Sequence, residues 1–279
     1  MIDVPKPNMD SRHLSPVTRH CPGRFAVIIP ACDEEECIGR VLDELLAVLD
    51  PEKFVVAVGV NGSNDRTAEM ARARGVWVAE TQERGYGYGC QAAIDLVTAA
   101  VPQVRAYIFL AGDGASDPRD VCTLVDAYEQ GSMFVLGART AQFRNWRAMH
   151  VSHVIANFAV ALWCGVLAGR WFKDLAPVRL IDRELFEAIA PREMTFGWTI
   201  EPQIAAARLG APIREVAASE RPRLAGKQKV SGVTWRRTFV IGCRILAAGW
   251  RARLRFGYRS EAERPLPEKA LVAQPQRGM

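Results

Sequence analysis

Tyr107-Ile108-Phe109-Leu110-Ala111-Gly112-Asp113-Gly114-Ala115-Ser116-Asp117-Pro118 decides the fold. An apolar run leads straight into a turn that carries one carboxylate between two glycines. In an open α/β sheet, ligands sit just past the carboxyl ends of the strands, so Asp113 stands where a ligand is expected. A carboxylate there suits Mg2+ or Mn2+, which keeps waters and shares few protein ligands with phosphate oxygens.

The same strand-then-polar-turn grammar recurs on either side. Phe25 to Pro30 is a continuous apolar run of buried-strand length, followed by Asp33, Glu34, Glu35 and Glu36. Ile38, Val41, Leu42, Leu45, Leu46 and Leu49 then keep helical spacing. The four acids read either as a helix start complementing the macrodipole or as groups reaching a nucleotide's base or ribose. Phe54 to Val60 is a second strand, and Asn61 to Thr67 is its turn, built from residues with turn chemistry of their own. Val76 to Val78 is a third. Glu83 to Cys90 is a glycine-rich turn expected to open a helix at Gln91 and to offer backbone N–H groups to phosphate. Arg84 is its most informative residue, because a guanidinium pairs with a diphosphate.

Downstream, a helix is expected from Pro118 to Gln130 and a strand from Phe134 to Arg139. Strands alternating with helices, with no tight hairpin, predict a mostly parallel sheet covered on both faces. Val154 to Gly169 is almost wholly apolar but shorter than the ~20 residues of a membrane span, so it reads as a core or interfacial helix. A helix follows from Arg183 to Ile189. Trp198 reads as a packing residue by its apolar area. Glu201 reads as a helix-start acid or as a catalytic base. Ile213 to Val216 is the last strand.

Two basic segments close the chain. Arg221 to Gly232 is either a solvated loop or an anion-binding lid. Thr234 to Arg255 predicts a long helix with Arg237, Arg244, Arg251 and Arg255 on one stripe and Ile241, Ile245 and Leu246 away from it. Such a helix can lie on an anionic bilayer or pack on the body with a solvated arginine face. The expected organisation is a flexible arm over 1–24, a catalytic domain over 25–232, a basic amphipathic helix over 233–258 and a disordered tail over 259–279.

Composition sets the class. The chain has 279 residues, 49% hydrophobic and 24% charged, which is ordinary for a soluble globular protein with one large core. The net charge of +5 suits phosphate-bearing ligands or an anionic surface and does not argue for nucleic acid. The seven cysteines are scattered without a CxxC pair, so a zinc site is not expected. Polar, proline-containing residues 1–24 do not resemble a secretory leader. Reduced thiols and a cytoplasmic setting, with peripheral contact on the inner face of the cell membrane, are the expectation.

Taken together, these segments resemble the family 2 glycosyltransferases of the GT-A fold. Within that family they look most like the bacterial branch related to polyprenyl- and dolichyl-phosphate sugar transferases. The resemblance runs over about residues 25–250. Val27 to Glu35 resembles V-I-P-x-x-N-E-E, and Val60 to Thr67 resembles D-D/N-G-S-x-D-x-T. Arg84 to Gly87 resembles R-G-x-G, and Phe109 to Pro118 resembles F-L-D-x-D-x-x-x-x-P. Lys173 to Arg179 resembles T-D-x-x-x-x-R, Gly197 to Glu201 resembles G-W-x-x-E, and Arg223 to Gly232 resembles R-x-x-G-x-S-K-x-x-G.

The resemblance implies an inverting transfer of sugar from a nucleoside-diphosphate donor to a lipid-phosphate or hydroxyl acceptor, with Mg2+ or Mn2+. It implies that Pro30, Asp33, Glu35, Asn61 and Asp65 line the nucleoside pocket, that Arg84 and Gly87 face the diphosphate, and that Asp113 ligates the metal. Asp174, Arg179, Trp198 and Arg223 fall on matched substrate-site positions. Lys227 and Lys229 would join Arg84 in neutralising the leaving diphosphate, and Glu201 would be the base for a hydroxyl acceptor. Two departures stand out: Ala111 replaces the first acid on the metal side, and Val60 replaces the acid at the nucleobase edge. The alternatives are therefore an inactive nucleotide-sugar-binding homologue or a nucleotidyltransferase. The latter would want a basic glycine-rich loop after the first strand, where this chain has acids.

Overall fold

The computed structural model describes residues 25–141, 145, 151–225 and 235–257, with backbone only at 151–153, 155 and 235–239. The expected N-terminal arm, the C-terminal tail, Lys227 and Lys229 lie outside the described residues.

The chain runs β1 (Phe25–Ala31), α1 (Ile38–Leu46), β2 (Phe54–Asn61), α2 (Thr67–Arg72), β3 (Trp77–Thr81), α3 (Tyr86–Ala100), β4 (Ala106–Phe109), α4 (Asp120–Glu129) and β5 (Phe134–Ala138). It continues through α5 (Val151–Ala168), β6 (Arg179–Asp182), α6 (Arg183–Ile189), α7 (Ile200–Arg208), β7 (Ile213–Ala217) and α8 (Trp235–Arg255). The strands form one sheet in the order β3-β2-β1-β4-β6-β5-β7. Every pairing is parallel except those of β6, which runs antiparallel to both β4 and β5.

Alternation along β1 shows why both faces are covered. Ala26 and Ile28 join the core beneath α3, α5, α6 and α7. Phe25, Val27, Ile29 and Ala31 join the core beneath α1, α2 and α4. Successive strand side chains point to opposite faces, so a run apolar at every position needs helices on both sides. The strand order changes direction between β1 and β4, which sets their carboxyl ends side by side as a crevice.

Three expectations need correction. The acids after β1 do not start α1: its first residue is Ile38, its first turn carries no acid and Cys37 precedes it. The glycine-rich segment is not a turn before a helix at Gln91, because α3 already begins at Tyr86. Gly87 and Gly89 instead permit close approach. A Cβ on Gly87 would lie 2.6 Å from Trp198, and one on Gly89 would lie 2.7 Å from the Gly59 carbonyl. Finally, β6 is a strand where no strand was expected, since only Leu180 and Ile181 of its four residues are apolar.

Candidate functional site

The loops after β1 and β2 are stitched into one wall. Ser63 Oγ accepts from the Asp33 amide at 2.8 Å, and Asp33 Oδ1 accepts from the Asn64 amide at 2.7 Å. Thr67 Oγ1 accepts from the Glu34 amide at 2.8 Å. Asp65 Oδ2 accepts from the Glu35 amide, and Glu35 Oε2 from the Arg66 amide, both at 3.0 Å. Polar side chains placed to accept backbone N–H groups lock a turn that sheet bonding cannot reach. Asp33 sits at φ 52, a left-handed conformation that Asn and Asp tolerate better than most residues. Asn61 is buried next to Gly89 and Pro30: a Cβ on Gly89 would lie 2.8 Å from Asn61 Oδ1 and 3.2 Å from Pro30 Cβ. Arg84 joins this wall, its stem against Gly62 and its Nη2 3.9 Å from Asp33 Oδ2. Pro30, Asp33, Glu35, Asn61, Asp65 and Arg84 therefore gather at one place.

Asp113 faces them from the turn after β4. Its Oδ1 accepts from the Ala115 amide at 3.1 Å, which fixes the carboxylate. Its Oδ2 accepts from Arg223 Nη1 at 3.1 Å, while Arg223 Nη2 donates to Glu34 Oε1 at 2.9 Å. One guanidinium thus bridges acids from the β1 and β4 loops. The segment carrying it is tied down along its length. The Arg221 amide donates to Ala115 O at 2.8 Å, Arg221 Nε to Gly114 O at 2.7 Å and the Leu224 amide to Asp113 O at 3.1 Å. Cys37 Sγ meets Ala225 O at 3.3 Å. Gly114, at φ 76, lies so close to Leu224 that a Cβ would come within 2.4 Å of it.

A second charged layer lies behind Asp113. Asp174 is fully buried and takes Arg139 through both oxygens, at 2.9 Å to Nη2 and 3.0 Å to Nε. Arg139 Nη1 also reaches Glu220 Oε1 at 3.4 Å. Glu220 is held beside the Asp113 turn by a strand bridge to Ser116. Burial pushes its carboxyl up to about 7, and the negative charge of Asp113 adds to the rise against the opposing pull of Arg139. Arg179 is buried and spends its donors on backbone carbonyls, among them Thr199 O at 2.6 Å and Ala176 O at 2.9 Å. Burial pulls it down to about 10, with Tyr86 and Asp174 acting in the other direction.

Not every expected site residue opens onto this crevice. Trp198 is 2% exposed, with its ring against Phe109 and Phe186. Gly87 packs on that ring, and its amide donates to Met194 O at 2.9 Å. Glu201 is committed elsewhere. Its Oε2 accepts the Arg192 and Glu193 amides at 2.7 and 2.8 Å, and its Oε1 accepts Arg255 Nη1 at 2.8 Å. Asp174 and Arg179 stand behind the crevice as buried scaffolding. Conversely, Glu34, Arg139, Glu220 and Arg221 belong to the cluster without having been singled out. Glu34 was visible only as one acid among four, and Glu220 as the residue ahead of a basic loop.

Asp113 Oδ2 already holds a cationic group, so its donor chemistry fits a hard cation completed by phosphate oxygens and water. Among the described residues no cluster of three His, Cys, Asp or Glu side chains could hold a metal by itself.

Known proteins resemble this chain over most of its length. The family model described as glycosyl transferase family 2 matches residues 26–183. A dolichyl-phosphate hexose transferase of Haloferax volcanii is 30% identical over 207 residues, 74% of this chain and 86% of its own length. An uncharacterized glycosyltransferase of Mycobacterium tuberculosis is 29% identical over 209 residues, 74% of this chain and 89% of its own. Among solved structures, glucosyl-3-phosphoglycerate synthase from Mycobacterium tuberculosis, crystallised with Mn2+, UDP and glucosyl-3-phosphoglycerate, superposes with a TM-score of 0.61 at 20% identity. That match covers 82% of this chain and 80% of the other, and it identifies the sheet as the GT-A architecture. With more than half of its length matched by one family model, the chain belongs to glycosyl transferase family 2.

Proposed function

We propose that this glycosyltransferase moves a sugar from a nucleoside-diphosphate donor to a phosphate-bearing acceptor, in one displacement that inverts the anomeric carbon. The observation that carries the reading is the pairing of Asp113 Oδ2 with Arg223 across a crevice whose other wall is Asp33, Asn61, Asp65 and Arg84. The mycobacterial neighbour, with its UDP and Mn2+, and the relative named for dolichyl phosphate support the donor and acceptor classes.

The donor base and ribose lie against the β1 and β2 loops, and the diphosphate spans Arg84 and Asp113. An acceptor phosphate oxygen attacks the anomeric carbon from the face opposite the diphosphate. The bond from that carbon to the β-phosphate oxygen breaks, and its electron pair leaves with the nucleoside diphosphate. Asp113 is the residue that would hold Mg2+ or Mn2+, which would supply neutralising charge for the departing phosphate. Arg223 moves off Asp113 and turns to the diphosphate, and Arg84 pairs with it from the other side. A phosphate acceptor is already an anion and needs no base, which agrees with the commitment of Glu201 to backbone amides and Arg255.

The test offers UDP- and GDP-sugars with Mn2+ to a polyprenyl phosphate, a phosphoglycerate and a simple alcohol, and reads the product's anomeric configuration by NMR. Transfer to a phosphate-bearing acceptor with inversion supports the reading. Retention of configuration overturns the single displacement. Release of pyrophosphate makes the protein a nucleotidyltransferase, and binding without turnover makes it a non-catalytic sugar-nucleotide binder. Ala111 and Val60 are the residues that favour this last alternative.

A further inference from the structure

The sequence left the basic helix α8 either lying on a bilayer or packed on the body; of its arginine stripe, Arg255 is drawn onto the body while Arg244 and Arg251 stay exposed. Arg251 reaches Glu193 at 2.6 Å, and Arg255 reaches Glu201 and the Ala190 carbonyl. The rest of the described exposed surface of α8 is apolar. Leu246, Trp250 and Leu254 follow one another at intervals of four and stay 43%, 51% and 66% exposed. Helix α5 carries a matching row: Leu162 and Val166 are 48% and 66% exposed. The two rows flank one seam. Gly249 lets α8 close on α5, since a Cβ there would lie 3.0 Å from Leu167 and 3.2 Å from Trp163. Each exposed residue named on α5 is the neighbour in sequence of a seam residue, so it stands about 100° round the helix from it. Trp171, 72% exposed, folds over Gly165 at the end of α5 and extends the band. Exposed Arg170 and Arg244 accompany it.

The geometry points to the α5–α8 face as a docking surface for an anionic lipid bilayer. Monomeric proteins seldom leave a contiguous apolar band of this kind to water. Its charge pattern selects the partner: α8 contains arginines and no acid, and α5 contains neither Asp, Glu, Lys nor Arg. A second copy placed face to face would bring Arg170 and Arg244 against their own counterparts, with no acid on α5 or α8 to pair them. Anionic headgroups supply that pairing, and exposed tryptophans on an apolar face prefer the headgroup level. Attachment is at the surface, because no helix among the described residues is long and apolar enough to cross a membrane. Amphipathic faces of this type bury themselves at the headgroup boundary through apolar area plus attraction to anionic lipid.

The full chain is sedimented with phosphatidylcholine vesicles and with vesicles in which part of that lipid is replaced by phosphatidylglycerol. The expected result is partition onto the mixed vesicles and far less onto the neutral ones. Trp250→Glu and Leu254→Glu each lower that partition about tenfold or more, the scale of losing one buried large side chain. Trp171→Ser, in an exposed loop with little effect on folding, lowers it independently of α8. Asp113→Asn partitions like the parent, so the result does not depend on the proposed sugar transfer. Absence of binding to the mixed vesicles, or equal binding by all the variants, overturns the inference. So does a dimer in light scattering that Leu254→Glu dissolves without any lipid partition, which assigns the face to a second copy.

Discussion

Arg223 and Asp113 form an ion pair at 3.1 Å, and the same guanidinium holds Glu34 at 2.9 Å. It therefore occupies the position from which Asp113 would address a metal, and it neutralises two carboxylates with little access to water. Arg223 Nε is buried and has no hydrogen-bond partner among the described residues.

Replacing Arg223 by Ala should separate metal binding from catalysis. Asp113 loses its competitor, so half-saturating Mn2+ should fall. The leaving diphosphate loses a cation, so kcat should drop by about 10²-fold, the scale of removing one preorganised charge donor. Initial rates across a Mn2+ titration read both effects. A drop in kcat with a rise in the Mn2+ requirement would mean that Arg223 supports the metal rather than competing with it.

Glu201→Gln should cost stability rather than chemistry. It weakens a carboxylate that accepts two amides and Arg255, for a loss of about 1–3 kcal/mol. Urea unfolding gives the first quantity, and the rate per folded molecule, expected near the parent's, gives the second. A hundredfold fall in kcat at unchanged stability would restore Glu201 as the base.

Glu220 should make stability depend on pH. Its carboxyl is raised to about 7 by burial, so between the ordinary carboxylate range and about 7 the folded state binds a proton that the unfolded state has released. This contribution is complete below the unfolded value and is lost as pH rises through about 7, amounting to roughly 3 kcal/mol at most. Glu220→Gln should flatten the decline seen by urea unfolding between about pH 5 and 8. An unchanged slope would show that Glu220 ionises normally.

Gly87→Ala tests whether that glycine serves packing. The added methyl would meet Trp198 at 2.6 Å and the Met194 backbone at 2.7 Å, an overpacking cost of about 1–3 kcal/mol. The melting temperature should fall. A full-stability variant that has lost nucleotide affinity would instead return Gly87 to the phosphate.

Sequence alone reached β1, β2, β4 and β5 because each is an apolar run ending in turn residues, and it also reached β3 and β7, although β7 carries Arg214 and Glu215. It missed β6 because Arg179 and Asp182 disguise a four-residue strand, and Arg179 is buried only because nearby carbonyls take up its donors. The start of α3 was misplaced because glycine reads as a turn locally, whereas here it answers to the close approach of Trp198 and β2. The place of Asp113 in the turn after β4 was legible from the apolar run ahead of it. Its link to Glu34 joins residues that chain order keeps far apart, and only the fold brings them together. Likewise the arginines of α8 fall on one stripe in sequence, but Glu201 draws Arg255 onto the body.

The most direct measurement is sugar transfer by Asp113→Asn over a Mn2+ titration, with thermal unfolding as the control on folding. Asparagine keeps the shape and the turn but loses the charge. Transfer should fall by about 10²-fold or more and lose its response to Mn2+, while the protein remains folded. Transfer at the parent's rate, with an unaltered Mn2+ response, would contradict a catalytic centre built on Asp113.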